Sequence, residues 1–322
     1  MPSPCGCARS TTAVVSTSPC AVCPRNPWRS EIDRAPLKLD PPAEPAAGVL
    51  YLVGTPIGNR GDLSPRARQV LEGVDRIACE DTRHSGQLLA GFAIRGRLLS
   101  FHQHNQHGRT PELLAALQAG ESLALISDAG LPGISDPGEL LVAAVRAAGL
   151  PVICIPGPCA VTTALVSSGL PTGRFCFEGF LPAKARLRRQ ALQELAAERR
   201  TLVLFEAPHR LVELLEDLLD LLGNRPLLVA RELTKRHEQQ VGPTVEAALE
   251  HFRQVPPRGE CTLVLGGAPA PEAPQWSEHE LRAELARRLA AGLSGSDAAR
   301  QLAAETGLSR RRIYALLHQP PP

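Results

Sequence analysis

From Val49 onward the sequence alternates short apolar segments with amphipathic segments of about ten residues, a rhythm that matches strands and helices. The first strand-like segments are "VLYLV", "DRIAC", "RLLSF", "SLALIS" and "VICIP". Short apolar strands separated by helices are typical of a mostly parallel sheet with helices on its faces. The pattern therefore predicts an α/β fold. Its first helix is predicted to begin after Ser64 with Pro65 in the first turn, and its third at Pro111.

The alternation of strands and helices continues after Gly169, where some neighbouring strands are expected to pair antiparallel. The strand-like segments are "RFCFEGF", "TLVLFE", "LLVARE" and "CTLVLGG". A chain of 322 residues with 43% hydrophobic residues is long and apolar enough for two packed domains. We predict an N-terminal α/β domain over residues 49–158, with a mostly parallel sheet, and a C-terminal α/β domain over residues 159–267, with a mixed sheet.

Residues 1–48 hold nine of the 30 prolines and show no helical or strand period, which indicates a disordered leader or an incorrectly assigned start. Four cysteines lie in this segment, as C-x-C and C-x2-C: Cys5, Cys7, Cys20 and Cys23. Their spacing resembles a zinc site only loosely and no histidine is near, so an unstructured tail is favoured and no metal is predicted.

The last part of the chain is predicted to be helical. "APAPEAPQ" at residues 268–275 is typical of a linker. Residues 276–318 contain an amphipathic segment and then two short helices around a glycine-containing turn, with helix-turn-helix proportions.

Composition leaves the partner open. A net charge of +2 and a pI near 8.1 are too mild to indicate a polyanion partner by themselves. Apolar runs of the length of a membrane span are absent, as is the pattern of a secretory signal, so a cytoplasmic protein without a membrane partner is predicted.

The loop "SDAGLPGISDPG" at residues 127–138 combines glycines, prolines and two aspartates between a strand and a helix. Asp136 is predicted to cap that helix, with Pro137 and Glu139 in a capping-box start. Asp128 instead follows the carboxyl end of a strand, where open α/β sheets bind their ligands. By itself the loop is also compatible with a mere connection.

The chemistry of this loop disfavours a nucleotide phosphate. G-x-G-x-x-G and G-x4-G-K-[ST] do not occur here, and carboxylates repel pyrophosphate. S-adenosylmethionine carries a sulfonium and an ammonium and no phosphate, so it suits the loop better. "GTPIGN" at 54–59 and "PGPC" at 156–159 also follow strands, which brings three glycine-containing loops to one edge of the first sheet.

Seven segments, in this order, resemble the ribosomal RNA small subunit methyltransferase I family of the tetrapyrrole methylase (class III) superfamily: "LYLVGTPIGN", "EDTRHSG", "SDAGLPGISDPG", "PGPCAVTTAL", "FEGFLPAK", "EAPHR" and "ARELTKRHE". The resemblance runs from residue 49 to 267 and into the C-terminal helices. Leu131 departs from it, because the family usually has threonine there.

The resemblance implies a fold of two α/β domains with S-adenosylmethionine in the cleft between them. It implies 2′-O-methylation of a cytidine in the decoding region of 16S ribosomal RNA, with that RNA or the 30S subunit as partner, and a homodimer. The implied cofactor-binding residues are Gly54, Thr55, Pro56, Asp128, Gly130, Leu131, Gly133, Gly157, Cys159, Ala160, Phe205 and Glu206.

Methyl transfer from a sulfonium to a hydroxyl is an in-line displacement that needs positioning and removal of the hydroxyl proton. Candidate catalytic residues at loop ends are Glu80, Asp81, Lys184 and Lys235. Only three of the 35 basic residues are lysines, which favours a specific role for the two that lie in the predicted domains. The proton acceptor stays unassigned.

RNA contact is predicted for basic residues near the cleft mouth and at the C-terminus, although each cluster also suits a merely solvated helix face. They are Arg83, His84, Lys184, Arg186, Arg188, Arg189, His209, Arg210, Arg310, Arg311 and Arg312. Aromatic residues make up only 3% of the chain, so recognition should depend on shape and phosphates rather than on base stacking.

Three alternatives stay open. Another class III methyltransferase, acting on a tetrapyrrole or a protein side chain, would use the same cleft. A nucleic-acid-binding regulator is suggested by the C-terminal helices alone. A metal hydrolase built on His102, His104 and His107 is weaker, because acidic ligands with metal spacing are missing nearby.

Overall fold

The computed structural model describes residues 45–269 and 276–318. The predictions for residues 1–44, including the four N-terminal cysteines, and for most of the linker fall outside the described residues. Within these ranges no helix is both long and apolar enough to cross a membrane.

The first sheet has five strands, all parallel, in the order β3-β2-β4-β1-β5. Their bounds are Leu50–Val53 (β1), Arg76–Cys79 (β2), Leu98–Ser100 (β3), Leu123–Ile126 (β4) and Val152–Ile155 (β5). The central strand β4, "LALI", is buried along its whole length, as expected for a strand covered on both faces. The predicted parallel sheet is confirmed.

Four helices cover the two faces of this sheet. They are Pro65–Gly73 (α1), Thr82–Ala90 (α2), Gln106–Gln118 (α3) and Glu139–Ala147 (α4). Leu71 and Leu89 place α1 and α2 in one hydrophobic cluster, whereas Leu117 and Leu141 place α3 and α4 in the other. The helices that follow the neighbouring strands β1 and β4 therefore lie on opposite faces. Such a reversal opens a crevice at the carboxyl ends of the strands, where ligands bind in open α/β sheets.

The second sheet is mixed, with the order β6-β7-β10-β8-β9. Only β6 and β7 are parallel, and the other neighbours are antiparallel. Strands are Phe175–Phe180 (β6), Thr201–Glu206 (β7), Leu227–Arg231 (β8), Gln239–Val241 (β9) and Cys261–Leu265 (β10); helices are Ala160–Ser167 (α5), Ala185–Glu194 (α6), Leu211–Leu222 (α7) and Val245–Gln254 (α8). The predicted mixed sheet is confirmed.

The two faces of the second sheet have different partners. Helices α6, α7 and α8 pack on one face through a large leucine-rich cluster. On the other face Val203 and Val264 pack against Leu165 of α5 and Ile57 of the loop after β1. The second sheet thus contacts the first domain directly.

A tight contact between loops joins the domains beside this core. The backbone N–H of Asn59 donates to Oγ1 of Thr234 at 3.1 Å. A Cβ on Gly58 would lie 2.8 Å from that same oxygen and 2.9 Å from the carbonyl oxygen of Leu233. Glu232 and Thr234 hold positive φ angles of 54° and 64°, a conformation that costs free energy outside glycine. The segment is therefore held by its surroundings in one shape.

The C-terminal region contains three helices, Glu278–Ala290 (α9), Gly295–Thr306 (α10) and Arg310–Ala315 (α11). Ser277 and Glu280 form a capping box at the start of α9, and Gly307 ends α10 with a φ of 69°. Leu285, Leu302 and Ile313 bring the three helices together in a small core of their own. The region therefore contains the helices and the glycine turn that the sequence predicts.

One predicted helix start is wrong. Helix α3 begins at Gln106 rather than at Pro111, which lies inside the helix. Pro111 has no N–H to donate to the carbonyl of His107, four residues earlier. His107 is an exposed residue. The polar segment "QHGRT" has no apolar period, so the sequence pattern did not indicate the first turn.

Candidate active site in the interdomain cleft

Three loops meet at the carboxyl ends of the first sheet, as predicted. Thr55 and Gly130 exchange backbone hydrogen bonds of 2.9 and 3.1 Å, which join the loops after β1 and β4. The buried hydroxyl of Thr55 donates to the carbonyl of Ser127 at 3.1 Å. Gly54 and Gly157 let the loops after β1 and β5 touch. Thr55 therefore fixes the shape of the loops from inside.

The first cavity, of about 330 Å³, lies between these loops and the carboxyl end of β7. Its apolar wall comes from Ile57 and Ala160 of the first half of the chain and from Phe180 and Phe205 of the second sheet. The rings of Phe180 and Phe205 lie 5.5 Å apart between centroids. The wall is thus suited to a flat apolar group.

Asp136 belongs to this cavity, and the prediction that it caps helix α4 is wrong. The helix begins at Glu139 with Gly138 as its N-cap, at a φ of 156°. The backbone makes another turn at Gly133 and Ser135, which both have positive φ, and this turn directs Asp136 toward the cleft. Burial, reinforced by the neighbouring charge of Glu80, raises the pKa of Asp136 to about 6, although a hydrogen bond with Ser127 opposes the shift.

Glu80 and Glu206 also have raised pKa values, although Glu80 lines neither cavity. Burial raises the pKa of Glu80, and the negative charge of Asp128 adds to the effect. Burial likewise raises the pKa of Glu206, which is only 1% exposed. Asp81 is different: the backbone N–H groups of Arg83 and His84 lower its pKa, because its side chain caps helix α2. Asp81 is thus engaged as a structural cap.

Glu206 has one satisfied and one unsatisfied oxygen. Its Oε1 accepts from the N–H of Ala207 at 2.9 Å and pairs with Arg210 Nε at 3.2 Å. Its Oε2 is buried and has no hydrogen-bond partner in the described part of the chain. A buried acceptor of this kind requires a donor. Leu202 and Leu204, which share its face of β7, pack against α6 to α8, so the carboxyl group of Glu206 is directed to that side of the sheet.

A second cavity, of about 430 Å³, adjoins the first. Both cavities are lined by Ile57, Asp128, Ala129 and Glu260, which form a shared wall. The remaining lining is more polar and comes from the loop after β1, from helix α2 and from Lys235: Pro56, Gly58, Arg60, His84, Gln87 and Leu88. The arrangement provides two neighbouring compartments of different chemistry.

Comparison with known proteins gives this fold a family. The model of the family described as Tetrapyrrole (Corrin/Porphyrin) Methylases matches residues 49–249. Ribosomal RNA small subunit methyltransferase I of Synechocystis sp. is 56% identical over 84% of this chain and 97% of its own. The protein of the same name from Escherichia coli O157:H7 is 45% identical over 84% of this chain and 95% of its own.

The chain belongs to the ribosomal RNA small subunit methyltransferase I family. This family lies among the tetrapyrrole methylases, and the predicted resemblance is confirmed. Uroporphyrin-III-C-methyltransferase of Thermus thermophilus has a similar structure, with a TM-score of 0.50, 27% identity, and coverage of 68% of this chain and 94% of that one. Diphthine synthase, at 14% identity and a TM-score of 0.51 over 68% of this chain and 90% of its own, shares the fold.

In this member of the methyltransferase I family, the predicted cofactor residues divide into two groups. Those that line the first cavity are Asp128, Gly130, Leu131, Cys159, Ala160, Phe205 and Glu206. The others, Gly54, Thr55, Pro56, Gly133 and Gly157, lie in the surrounding loops. Leu131, which replaces the usual threonine of the family, has its Cδ2 beside Gly54 and contributes to the apolar wall.

The two predicted lysines have different surroundings in this family member. Lys235 lies in the second cavity, with Nζ 2.9 Å from Glu232 and 3.0 Å from Glu260. Burial lowers its pKa, but the two ion pairs outweigh burial and keep the pKa above its ordinary value. Lys235 is therefore a cation at neutral pH rather than a base. Lys184 is the exposed N-cap residue of α6 and lines neither cavity.

One predicted RNA contact of this family member is wrong. Arg188 is 3% exposed, and its Nε lies 2.7 Å from Asp217, because it shares the inner face of α6 with Leu192. Arg189 also pairs with Asp217, at 2.6 Å. Arg210 pairs with Glu206, so its guanidinium is held at the cleft. Arg188 therefore stabilises the second domain internally, whereas Arg189 and Arg210 are partly exposed and their RNA contacts stay a prediction.

The remaining predicted RNA residues are exposed: Arg83, His84, Lys184, Arg186, His209, Arg310, Arg311 and Arg312. The histidines considered for a metal hydrolase do not form a centre, since no group of three potential ligands converges within residues 45–269 and 276–318.

The sequence did not predict that Phe180 and Glu260 line the first cavity. The position of Phe180 at the carboxyl end of a strand was the available signal.

Proposed function

We propose that this chain transfers a methyl group from S-adenosylmethionine to the 2′-hydroxyl of a cytidine in the decoding region of 16S ribosomal RNA. The observation that carries the proposal is the likeness to ribosomal RNA small subunit methyltransferase I over 97% of the length of a relative. The seven motifs of the sequence, with their resemblance to cytidine 2′-O-methyltransferases, support the finer assignment. The partner is the 30S subunit or its RNA, and the location is the cytoplasm.

The first cavity fits S-adenosylmethionine on chemical grounds. Its carboxylates Asp128 and Asp136 attract a cation, and its aromatic wall suits an adenine ring. When bound, S-adenosylmethionine supplies a methyl group made electrophilic by the sulfonium. The loop residues Gly54, Thr55, Pro56, Gly133 and Gly157 give the cavity its shape, and the lining residues hold the cofactor.

The residues of the chain position the ribose hydroxyl and remove its proton. Asp136 lines the first cavity, and its raised pKa makes it a better proton acceptor than an ordinary aspartate. Glu80, whose charge acts on Asp136, has a raised pKa as well but lines neither cavity. A carboxylate oxygen of Asp136 would accept the proton of the ribose hydroxyl, while S-adenosylmethionine, held by the lining residues, would supply the methyl group and leave as S-adenosylhomocysteine. Lys235 provides a fixed positive charge beside the developing alkoxide or its flanking phosphate.

RNA approaches over the exposed basic residues of the cleft mouth and of helix α11. Arg83, Arg186 and His209 contact phosphates near the cleft, and Arg311 and Arg312 contact a more distant part of the RNA. This binding depends on salt, because each phosphate contact releases counterions.

The active form is a homodimer, as the family resemblance implies. Strand β5 lies at the edge of the first sheet, and the nearby helix α5 exposes 71% of Val166. An open sheet edge with an apolar neighbour favours association. Sedimentation of the wild type and of Val166→Glu tests the state: a dimer that becomes a monomer supports it, and a monomeric wild type contradicts it.

The decisive experiment is methyl transfer with labelled S-adenosylmethionine. Purified protein is incubated with 30S particles that lack the modification, and the labelled nucleotide is mapped by mass spectrometry. A 2′-O-methylcytidine in the decoding region supports the proposal. Label at a base, in a protein or only in a tetrapyrrole contradicts it and favours another class III substrate.

A further inference from the structure

The second cavity lies where a substrate would meet the cofactor. Asp128 and Ala129 line both this cavity and the first one, so ligands bound in the two cavities would be neighbours. Its volume of about 430 Å³ falls in the range of small-ligand pockets, roughly 300–1,000 Å³. The cavity is thus large enough for one nucleotide and too small for a folded RNA element.

Arg60 and His84 give the second cavity side-chain donors for an anionic ligand. Arg60 and His84 are exposed, and neither forms a salt bridge within the described ranges. The guanidinium of Arg60 lies over Gly91 at the end of α2, since a Cβ on Gly91 would lie 2.8 Å from Arg60 Nη1. Arg60 is therefore held beside the cavity with its donors available for a phosphate.

The rest of the lining suits a nucleoside. Pro56 and Leu88 give an apolar surface that a base can contact. The side-chain amide of Gln87 offers a donor and an acceptor together, as the edge of a base requires. Asp128 at the shared wall offers carboxylate oxygens to ribose hydroxyls, and Glu260, which also pairs with Lys235, offers its other oxygen.

We infer that the second cavity binds the target nucleotide, extruded from its RNA strand, with its phosphate at Arg60 and His84 and its ribose at Asp128. The inference rests on the proposed function and assigns its substrate a place. A nucleotide inside a stacked helix cannot enter a recess between two domains, so it leaves the stack before reaction. This explains how an enzyme with few aromatic residues presents one ribose to its cofactor.

The test compares Arg60→Ala with Arg68→Ala. Arg68 is an exposed arginine of the same domain that pairs with Glu72, four residues on in α1. Arg60→Ala should raise the KM for 30S particles about tenfold and lower the salt dependence of RNA binding by about one phosphate contact. Its affinity for S-adenosylhomocysteine, measured by calorimetry, should equal that of the wild type, and Arg68→Ala should match the wild type in every measurement.

Gln87→Ala provides a second variant for the nucleoside end. It should raise the KM without changing the salt dependence of binding, because an amide contacts no phosphate charge. Equal KM values in Arg60→Ala, Gln87→Ala and Arg68→Ala would overturn the nucleotide site. If the unaltered enzyme instead leaves RNA unlabelled, the proposed function itself fails, and the two failures are distinct.

Discussion

Gly54 and Gly157 face each other so closely that a Cβ on Gly54 would lie 2.8 Å from the Cα of Gly157. This contact fixes the separation of the loops after β1 and β5, at the edge of the first cavity. Gly54→Ala should therefore push the loops apart, destabilise the protein by about 1–3 kcal/mol and weaken S-adenosylhomocysteine binding more than tenfold, as measured by urea unfolding and calorimetry.

Gly108→Ala is the matched control, because a Cβ there meets no atom within 4 Å. It lies inside α3, so alanine should raise the unfolding free energy by about 0.5–1 kcal/mol. Wild-type cofactor affinity in Gly54→Ala would contradict the tight contact.

Asp136→Asn should stabilise the protein while reducing methyl transfer. The pKa of Asp136 is raised from 3.8 to about 6, so its stabilising contribution is present below pH 3.8 and is lost as the pH rises through about 6. At pH 7.5 the free energy of unfolding of the variant should exceed that of the wild type by about 1 kcal/mol, after allowance for solvent screening. The difference should vanish near pH 4.

Urea unfolding between pH 4 and pH 7.5 measures this difference, and single-turnover methylation measures the second effect. Asp62→Asn, in the exposed turn before α1, serves as a control that should change neither. An Asp136→Asn enzyme with a wild-type transfer rate would exclude Asp136 as the proton acceptor.

Arg188→Ala should act on stability, whereas Arg186→Ala should act on RNA binding. Removing Arg188 leaves Asp217 with one fewer partner in a buried ion pair, which costs about 3 kcal/mol. Arg186 is exposed on the same helix, so its loss should leave the unfolding curve unchanged and weaken RNA binding. Denaturant unfolding measures the effect on stability, and filter binding measures the effect on RNA affinity. An Arg188→Ala protein with wild-type stability and weakened RNA binding would show that Arg188 contacts RNA after all.

Lys235→Gln and Lys184→Gln should affect different kinetic constants. Lys235 lines the second cavity between Glu232 and Glu260, so its loss should lower kcat about 100-fold. Lys184 lies outside both cavities, and its loss should raise only the KM for RNA. Steady-state kinetics on 30S particles checks this. Equal kcat values for Lys235→Gln and Lys184→Gln would show that Lys235 does not stabilise the transition state.

Arg311→Ala combined with Arg312→Ala should weaken RNA binding and reduce its salt dependence by about two contacts. Arg300→Ala is a suitable control in the same region, because Arg300 is already paired with Asp297 at 2.6 Å. Filter binding over a range of salt concentrations measures both. A control that weakens binding as much as the double variant would indicate general charge rather than a specific contact.

Much of the fold followed from local pattern. The parallel first sheet, the mixed second sheet and the start of α1 after Ser64 were predicted correctly, because apolar periodicity and capping residues act over short distances. Pro111 misled the prediction of α3, since a proline inside a helix resembles a proline at its start.

The site was predicted less completely, because its geometry depends on long-range packing. Asp136 has the sequence context of a cap, yet the positive φ angles of Gly133 and Ser135 turn it toward the cleft. Arg188 occurs in a basic run, yet Asp217, which neutralises it, lies 29 residues away in α7. The sequence does show that Arg188 and Leu192 are four residues apart, and this spacing alone could have placed Arg188 inside.

Asp128 contributes to the walls of both cavities, so the two proposed ligands would not bind independently. If the cofactor changes the affinity for the nucleotide by some factor, the nucleotide must change the affinity for the cofactor by the same factor. A substitution at Asp128 should alter this coupling as well as each separate affinity. S-adenosylhomocysteine and methylated RNA would then each favour or oppose the binding of the other by that same factor.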